Sequence, residues 1–390
     1  MSLSKNIVYA SKVLPAGTWR ALGRMVGRPV HLILAVADHF EPSIDPEDCY
    51  NRVPRHEQER RLEYWRDEYP RVVDRWRDSE GRPLVHTYFY PAEQYDEGLL
   101  DMLADHCHAG WGETEVHLHH GMKEPDTPEN TQRLLSDFRD QLGYRHRCLA
   151  VEEGTDQLRY CFVHGNFALA NSAEGRNCGV DSEMKILAES GCYADFTLPT
   201  APRHPSQTAK INSLYECAFS LEERAPQRNG IDLRVGHPPQ TLPLIIQGPL
   251  LTDLKRSFSS RRLVIENGAI TPLNPLSLHR LSLWKQAQIH VQGRPEWLFI
   301  KLHCHGMDPT QKDVVMGGVF RKFLEELVGG AASRKETLHF VTTREMANIA
   351  LAACDGKDGN PGEYRDYRFK RFKDLAPVRK TESDSVGAKG

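Results

Sequence analysis

The chain lacks long apolar runs, paired cysteine spacings and an excess of charge of either sign, and each absence removes a class of function. Its longest apolar stretches, such as Leu32–Ala37, fall far short of the roughly 20 residues that cross a bilayer. Residues 1–30 contain no apolar block ending in a small-residue cleavage site, so no export signal is expected. Nine cysteines are scattered without a CxxC pair, which reads as reduced thiols in a cytoplasmic protein. Fifty basic side chains against 53 acidic ones leave a net charge of -3, too weak a field to hold a polyanion, so no nucleic-acid partner is expected. There is no GxSxG around a serine, no P-loop and no GxGxxG after an apolar strand. Serine-nucleophile ester hydrolysis and nucleotide chemistry therefore lose support.

What is present is ordinary material for a large core: 390 residues, 39% hydrophobic and 26% charged. Short apolar, β-rich runs alternate with helical patterns. Strands are predicted at His31–Ala37, Leu84–Tyr90, Glu113–His119, Arg159–His164, Tyr193–Thr197, Leu242–Gln247, Trp297–His303 and Leu338–Val341. Arg55–Trp76 places Leu62, Trp65, Tyr69, Val72 and Trp76 on one helical stripe, with Pro70 expected to kink or split it. Glu97–His108, Ser182–Glu189, Asp313–Val328 and Thr343–Cys354 also read as helices. Such alternation implies an α/β protein with a parallel sheet, and seven or eight strand–helix units suggest an irregular (β/α) barrel spanning residues 30–355. Insertions at about 199–243 and 249–295 are expected over the C-terminal mouth, the second holding a hairpin across Arg262–Glu266, Asn267–Gly268 and Ala269–Thr271. Residues 1–29 read as a helical lead-in. Its basic, amphipathic part from Ser11 to Arg28 packs under the barrel or rests peripherally on the inner face of a membrane. Residues 364–390 read as a disordered tail.

Nearly every strand ends in chemically capable residues, and a parallel barrel brings those ends to one face. Asp38-His39-Phe40-Glu41 follows the first strand, His117-Leu118-His119-His120 ends the third, and His303-Cys304-His305 ends the seventh. Alternation puts His117 and His119 on the same side, about 7 Å apart along the strand, and sends His120 the other way. Two imidazoles so placed converge on one metal ion, with Asp38 chosen as the carboxylate ligand and Glu41 to accept a proton. His303 and His305 share a face, where either one protonates a leaving group or completes the metal shell. His164, Asn166 and Asp195, at the ends of the fourth and fifth strands, are candidates for contacting substrate. A mixed imidazole/carboxylate set suits zinc, and also nickel, cobalt or manganese.

These motifs resemble those of the polysaccharide deacetylases. The resemblance rests on Asp38-His39 after an apolar strand, on Glu115-Val116-His117-Leu118-His119, and on Ile300-Lys301-Leu302-His303. Leu338–Glu345 is similar to that superfamily's closing strand and helix. Phe162–Leu169 and Cys192–Pro199 look like an uncharacterised bacterial branch found with exopolysaccharide genes. The resemblance implies an irregular barrel, often of seven strands. It also implies a divalent metal, usually zinc, held by one Asp and two His, and removal of acetyl groups from N-acetylated sugars, with His303 the proton donor. Two positions depart from the pattern. His39 stands where a second aspartate is usual, and Lys123 lies where the second histidine of the spaced pair would fall, for which His117 substitutes. Alternatives are a glycosidase using paired carboxylates such as Glu41 and Asp195, or an inert saccharide-binding protein.

Overall fold

A computed structural model of the chain describes residues 29–47, 52–155, 157–200, 206, 210–218, 220–224 and 230–372. The eight apolar runs all form strands: β1 (Val30–His39), β2 (His86–Pro91), β3 (Gly112–Leu118), β5 (Leu158–His164), β6 (Cys192–Asp195), β9 (Leu244–Ile246), β12 (Trp297–Cys304) and β13 (Glu336–Phe340). Between them lie the short strands β4 (Ala150–Glu152), β7 (Leu214–Glu216), β8 (Ile231–Asp232), β10 (Leu251–Thr252), β11 (Ile265–Glu266) and β14 (Phe369–Arg371). The helices are α1 (Arg55–Val73), α2 (Glu97–His108), α3 (Pro128–Asp140), α4 (Glu183–Glu189), α5 (Leu254–Ser260), α6 (Leu278–Ala287), α7 (Lys312–Met316), α8 (Gly318–Gly330) and α9 (Thr343–Cys354).

The main sheet runs β12-β1-β2-β3-β5-β6-β9-β7-β8, and the seven strands from β12 to β9 are all parallel. Along β1, Val30–Leu34 pairs with β13 and Val36–His39 pairs with β2. The strands read as continuous apolar runs because both faces are covered. Leu32, Leu34 and Val36 pack outward with Leu62, Trp65 and Tyr69 of α1, while Ile33, Ala35 and Ala37 pack with Met346, Ala347 and Ala350 of α9. All twelve residues of α9 are buried, and a capping box of Thr342 and Glu345 starts the helix.

Several expectations need correction. The sheet is open, not a closed barrel: among the described residues no pairing joins β9 to β12. Instead the inserted segment around Gly268 lies beside β12, where Gly268 O accepts from His303 N and His303 O accepts from Ile270 N. The expected hairpin is therefore absent. Ile265–Glu266 pairs with β10, and the chain after the Asn267–Gly268 turn passes to β12. Helix α1 runs through Pro70 without splitting, because proline four residues from the helix end removes only one bond of the final turn. The expected helix 313–328 breaks at Gly317, whose backbone is extended.

The tail is ordered as far as Phe372. There β14 pairs with β4, and the buried Phe369 ring stacks on Tyr193 at 4.0 Å. The arginines that suggested solvation are instead paired, Arg365 with Asp78, Glu80 and Glu345, and Arg368 with Glu152. The rest of the tail, the lead-in helix and its membrane contact lie outside the described residues. No helix among the described residues is long and apolar enough to cross a membrane.

Candidate metal centre

The C-terminal ends of β1, β2, β3 and β12 bring five histidines and two carboxylates, Glu41 and Glu93, together. His117 belongs to β3 and His119 follows it, with ring centroids 4.5 Å apart and planes at 76°. His117 Nδ1 donates to Val163 O of the neighbouring strand at 2.7 Å, and His119 Nδ1 donates to Glu93 Oε1 at 2.7 Å. Each ring thereby holds a proton on Nδ1, and its Nε2 is turned to Glu41 Oε1, at 3.4 Å and 3.3 Å respectively. His117 Nε2 is buried without a hydrogen-bond partner. The three donor atoms lie within 4.8 Å of one another.

Burial would raise the Glu41 carboxyl, but the His117 contact and the charges of His119, His305 and His117 outweigh it and bring it down to about 2. Burial and the neighbouring His119 hold His117 below its ordinary value. An ionised carboxylate facing two imidazoles whose far nitrogens are already engaged is a donor set that fits a divalent cation. Glu93 and the Val163 carbonyl are the outer partners that keep the rings oriented. The buried, unpartnered Nε2 is the atom such an ion would satisfy.

His39 sits at the centre of the cluster, its ring 5.0 Å from His117, 4.8 Å from His305, 6.1 Å from His303 and 6.0 Å from Phe167. Burial, then the surrounding imidazoles, hold it well below its ordinary value, so it is neutral. His303 is likewise neutral and buried, from desolvation first and then Lys301. His305 is half-buried and lines a cleft of about 560 Å³, together with His39, Glu41, Glu93, His119, Asn166 and Phe167 among others. That volume suits a small ligand. All lining residues end or follow β1, β2, β3, β5 or β12, and no described residue of the two insertions is among them.

Asp38 is not with these ligands. Strand alternation turns it to the outer face, where its Oδ2 accepts from His86 Nδ1 at 2.8 Å and its Oδ1 accepts from Gly306 N at 2.6 Å, against the Trp65 ring. The carboxylate it was expected to supply comes from Glu41. What Asp38 does is pin the backbone just after His305. His164 is also turned outward, into a separate buried group with His120, Cys178 and Glu183. Asn166 does line the cleft. Asp195 does not: it is fully buried and accepts from Thr197 N and Oγ1, so Glu41 and Asp195 do not share the cleft as a glycosidase pair.

Two participants, His39 and Glu93, stand among the polar strand ends of the sequence but were given no role there. His39 lies two residues beyond Ala37 on the inner face, and its periodicity could have identified it. Glu93 ends the second strand segment as other site residues end theirs, but nothing in the sequence ties it to His119. Set against known proteins, the sequence matches no family model and no curated protein.

Proposed function

We propose that the chain is a metal-dependent hydrolase that removes N-acetyl groups from an amino-sugar polysaccharide or its precursor. The observation that carries this reading is the trio Glu41, His117 and His119 at the wall of the cleft, with both imidazoles oriented by outer hydrogen bonds. The resemblance of the β1, β3 and β12 segments to the polysaccharide deacetylases supports the substrate class and the choice of zinc. The resemblance implies an irregular barrel, and here the sheet stays open, with the segment around Gly268 lying beside β12.

In this reading Glu41 joins His117 and His119 as a ligand, so Glu41 takes the role first given to Asp38. A divalent ion held there would polarise the acetyl carbonyl and acidify a water molecule. His305 lines the cleft and is placed to carry the proton between water and the departing amine. His303 is buried, with its ring 6.1 Å from that of His39, and does not line the cleft. Asn166 and Phe167 offer a polar group and an apolar ring to the sugar. The test is acetate release from N-acetylated oligosaccharides by protein stripped with chelator and then given zinc back. Release lost and restored with the metal supports the reading. A zinc-loaded protein that releases no acetate from any such oligosaccharide contradicts it.

A further inference from the structure

The proposed hydrolytic centre does not use the second buried group of His120, His164, Cys178 and Glu183. The four come from four places: the end of β3, the end of β5, the loop before α4, and the first residue of α4. Their donor atoms lie within 4.8 Å of one another, and none of the four residues is more than 4% exposed.

The outer bonds settle which atoms point inward. His120 Nδ1 faces Asp126 Oδ2 at 2.8 Å, and His164 Nδ1 faces Gly165 O at 2.6 Å, so each ring spends its Nδ1 proton on an acceptor. Thr131 Oγ1 also lies 3.1 Å from His120 Nδ1. The two Nε2 atoms then face each other at 3.0 Å, with Glu183 Oε1 at 3.0 Å from one and 3.2 Å from the other. Two ring nitrogens and a carboxylate oxygen at these separations need a positive charge among them, either ring protons or a metal ion. Cys178 Sγ receives backbone N–H groups from Asn171 at 3.3 Å and Val180 at 3.5 Å. As a thiol it donates toward Glu183 Oε2 at 3.7 Å and Val180 O at 3.9 Å, so a cation that replaced the thiol proton would meet donors on both sides. Glu183 Oε2 in turn accepts from Ala170 N at 2.6 Å.

We infer that His120, His164, Cys178 and Glu183 form a closed, four-ligand structural zinc site, distinct from the cleft. Two neutral imidazoles, one thiolate and one carboxylate around a dication sum to zero charge, which is what a fully buried site requires. The thiol proton is released to solvent as the Zn–S bond forms. Four protein donors leave no open position, so the role is to hold structure. The segment held is unusual. Asn166, Phe167, Ala170, Asn171, Glu174 and Asn177 all have positive φ, a conformation that Phe167, Ala170 and Glu174 resist, though asparagine tolerates it. This segment includes Asn166 and Phe167 of the cleft wall, so the zinc would shape the cleft from behind.

The test uses full-length protein carrying Glu41→Ala, which weakens the first centre. Reconstituted with Co(II), it should show a sulfur-to-cobalt charge-transfer band in the near ultraviolet. The band should vanish in Cys178→Ser and persist in Cys304→Ser, which removes the other cysteine lying near a buried histidine and aspartate. Because Cys178→Ser could misfold, zinc-edge X-ray absorption of the Glu41→Ala protein gives a second measurement with Cys178 intact. One sulfur at about 2.3 Å among four scatterers is expected. A band that survives Cys178→Ser, a shell of nitrogen and oxygen only, or no retained zinc would overturn the inference.

Discussion

Replacing Glu93 probes how far the metal centre depends on residues that do not touch the ion. Glu93 Oε1 holds His119 Nδ1 at 2.7 Å and Oε2 accepts from His119 N at 3.2 Å, so one carboxylate fixes both the ring and its backbone. Burial would raise the Glu93 carboxyl, but the His119 bond and the charges of His119 and His117 bring it below its ordinary value, so it is ionised at neutral pH. Outer partners of this kind are worth about 10- to 100-fold in metal affinity. Glu93→Gln keeps one acceptor oxygen but loses the charge and the second acceptor, so a loss of about tenfold is expected, or about 1.4 kcal/mol. Glu93→Ala frees the ring and the backbone N–H together, so the loss should approach about 100-fold, or roughly 2.7 kcal/mol. Competition for zinc against a chromogenic chelator measures both, with the Glu41→Ala protein as the reference for loss of a direct ligand. If Glu93→Ala binds zinc as tightly as the parent, His119 is not a ligand oriented in this way.

Three other outcomes are expected. A Cβ at Gly165 would overlap the His119 ring, so Gly165→Ala should lower zinc affinity by about tenfold while leaving the circular dichroism spectrum unchanged. Lys301 is brought down from 10.5 to about 7 by burial, partly offset by Asp195. Above about pH 7 the unfolded chain therefore holds a proton that the folded chain has lost, and stability rises with pH until about pH 10. Urea unfolding should show Lys301→Met flatter than the parent over that range, by up to about 1.4 kcal/mol per pH unit, and parallel profiles would contradict this. Phe369→Ala should cost about 3–5 kcal/mol in urea unfolding, because the ring is wholly buried against Tyr193. A cost under about 0.5 kcal/mol would mean the segment after Tyr364 does not pack as described.

The long parallel strands were legible because burial on both faces writes them as apolar runs with few polar breaks, as in Leu32–Ala37. The short strands were not, since two or three residues, as in β8 or β10, carry no period. Whether the sheet closed was also beyond periodicity, because it depends on where an inserted loop lies beside β12. At the site, alternation placed His117 and His119 together but was not followed along β1. Ile33, Ala35 and Ala37 face inward, so His39 and not Asp38 had to share their side. There the motif resemblance outweighed the periodicity and put Asp38 in the metal shell. Glu41 lies past the end of β1, where alternation no longer constrains it. The zinc site inferred at Cys178 left no local signature at all, because its ligands come from four segments.

The most direct test of the central claim is an anomalous difference map from crystals of the zinc-loaded protein, collected on either side of the metal edge. A peak is expected within about 2.0–2.2 Å of His117 Nε2, His119 Nε2 and a Glu41 oxygen. A map with no density at that point, or with the metal at Asp38 and His86 instead, would contradict the claim that this cleft is a metal centre.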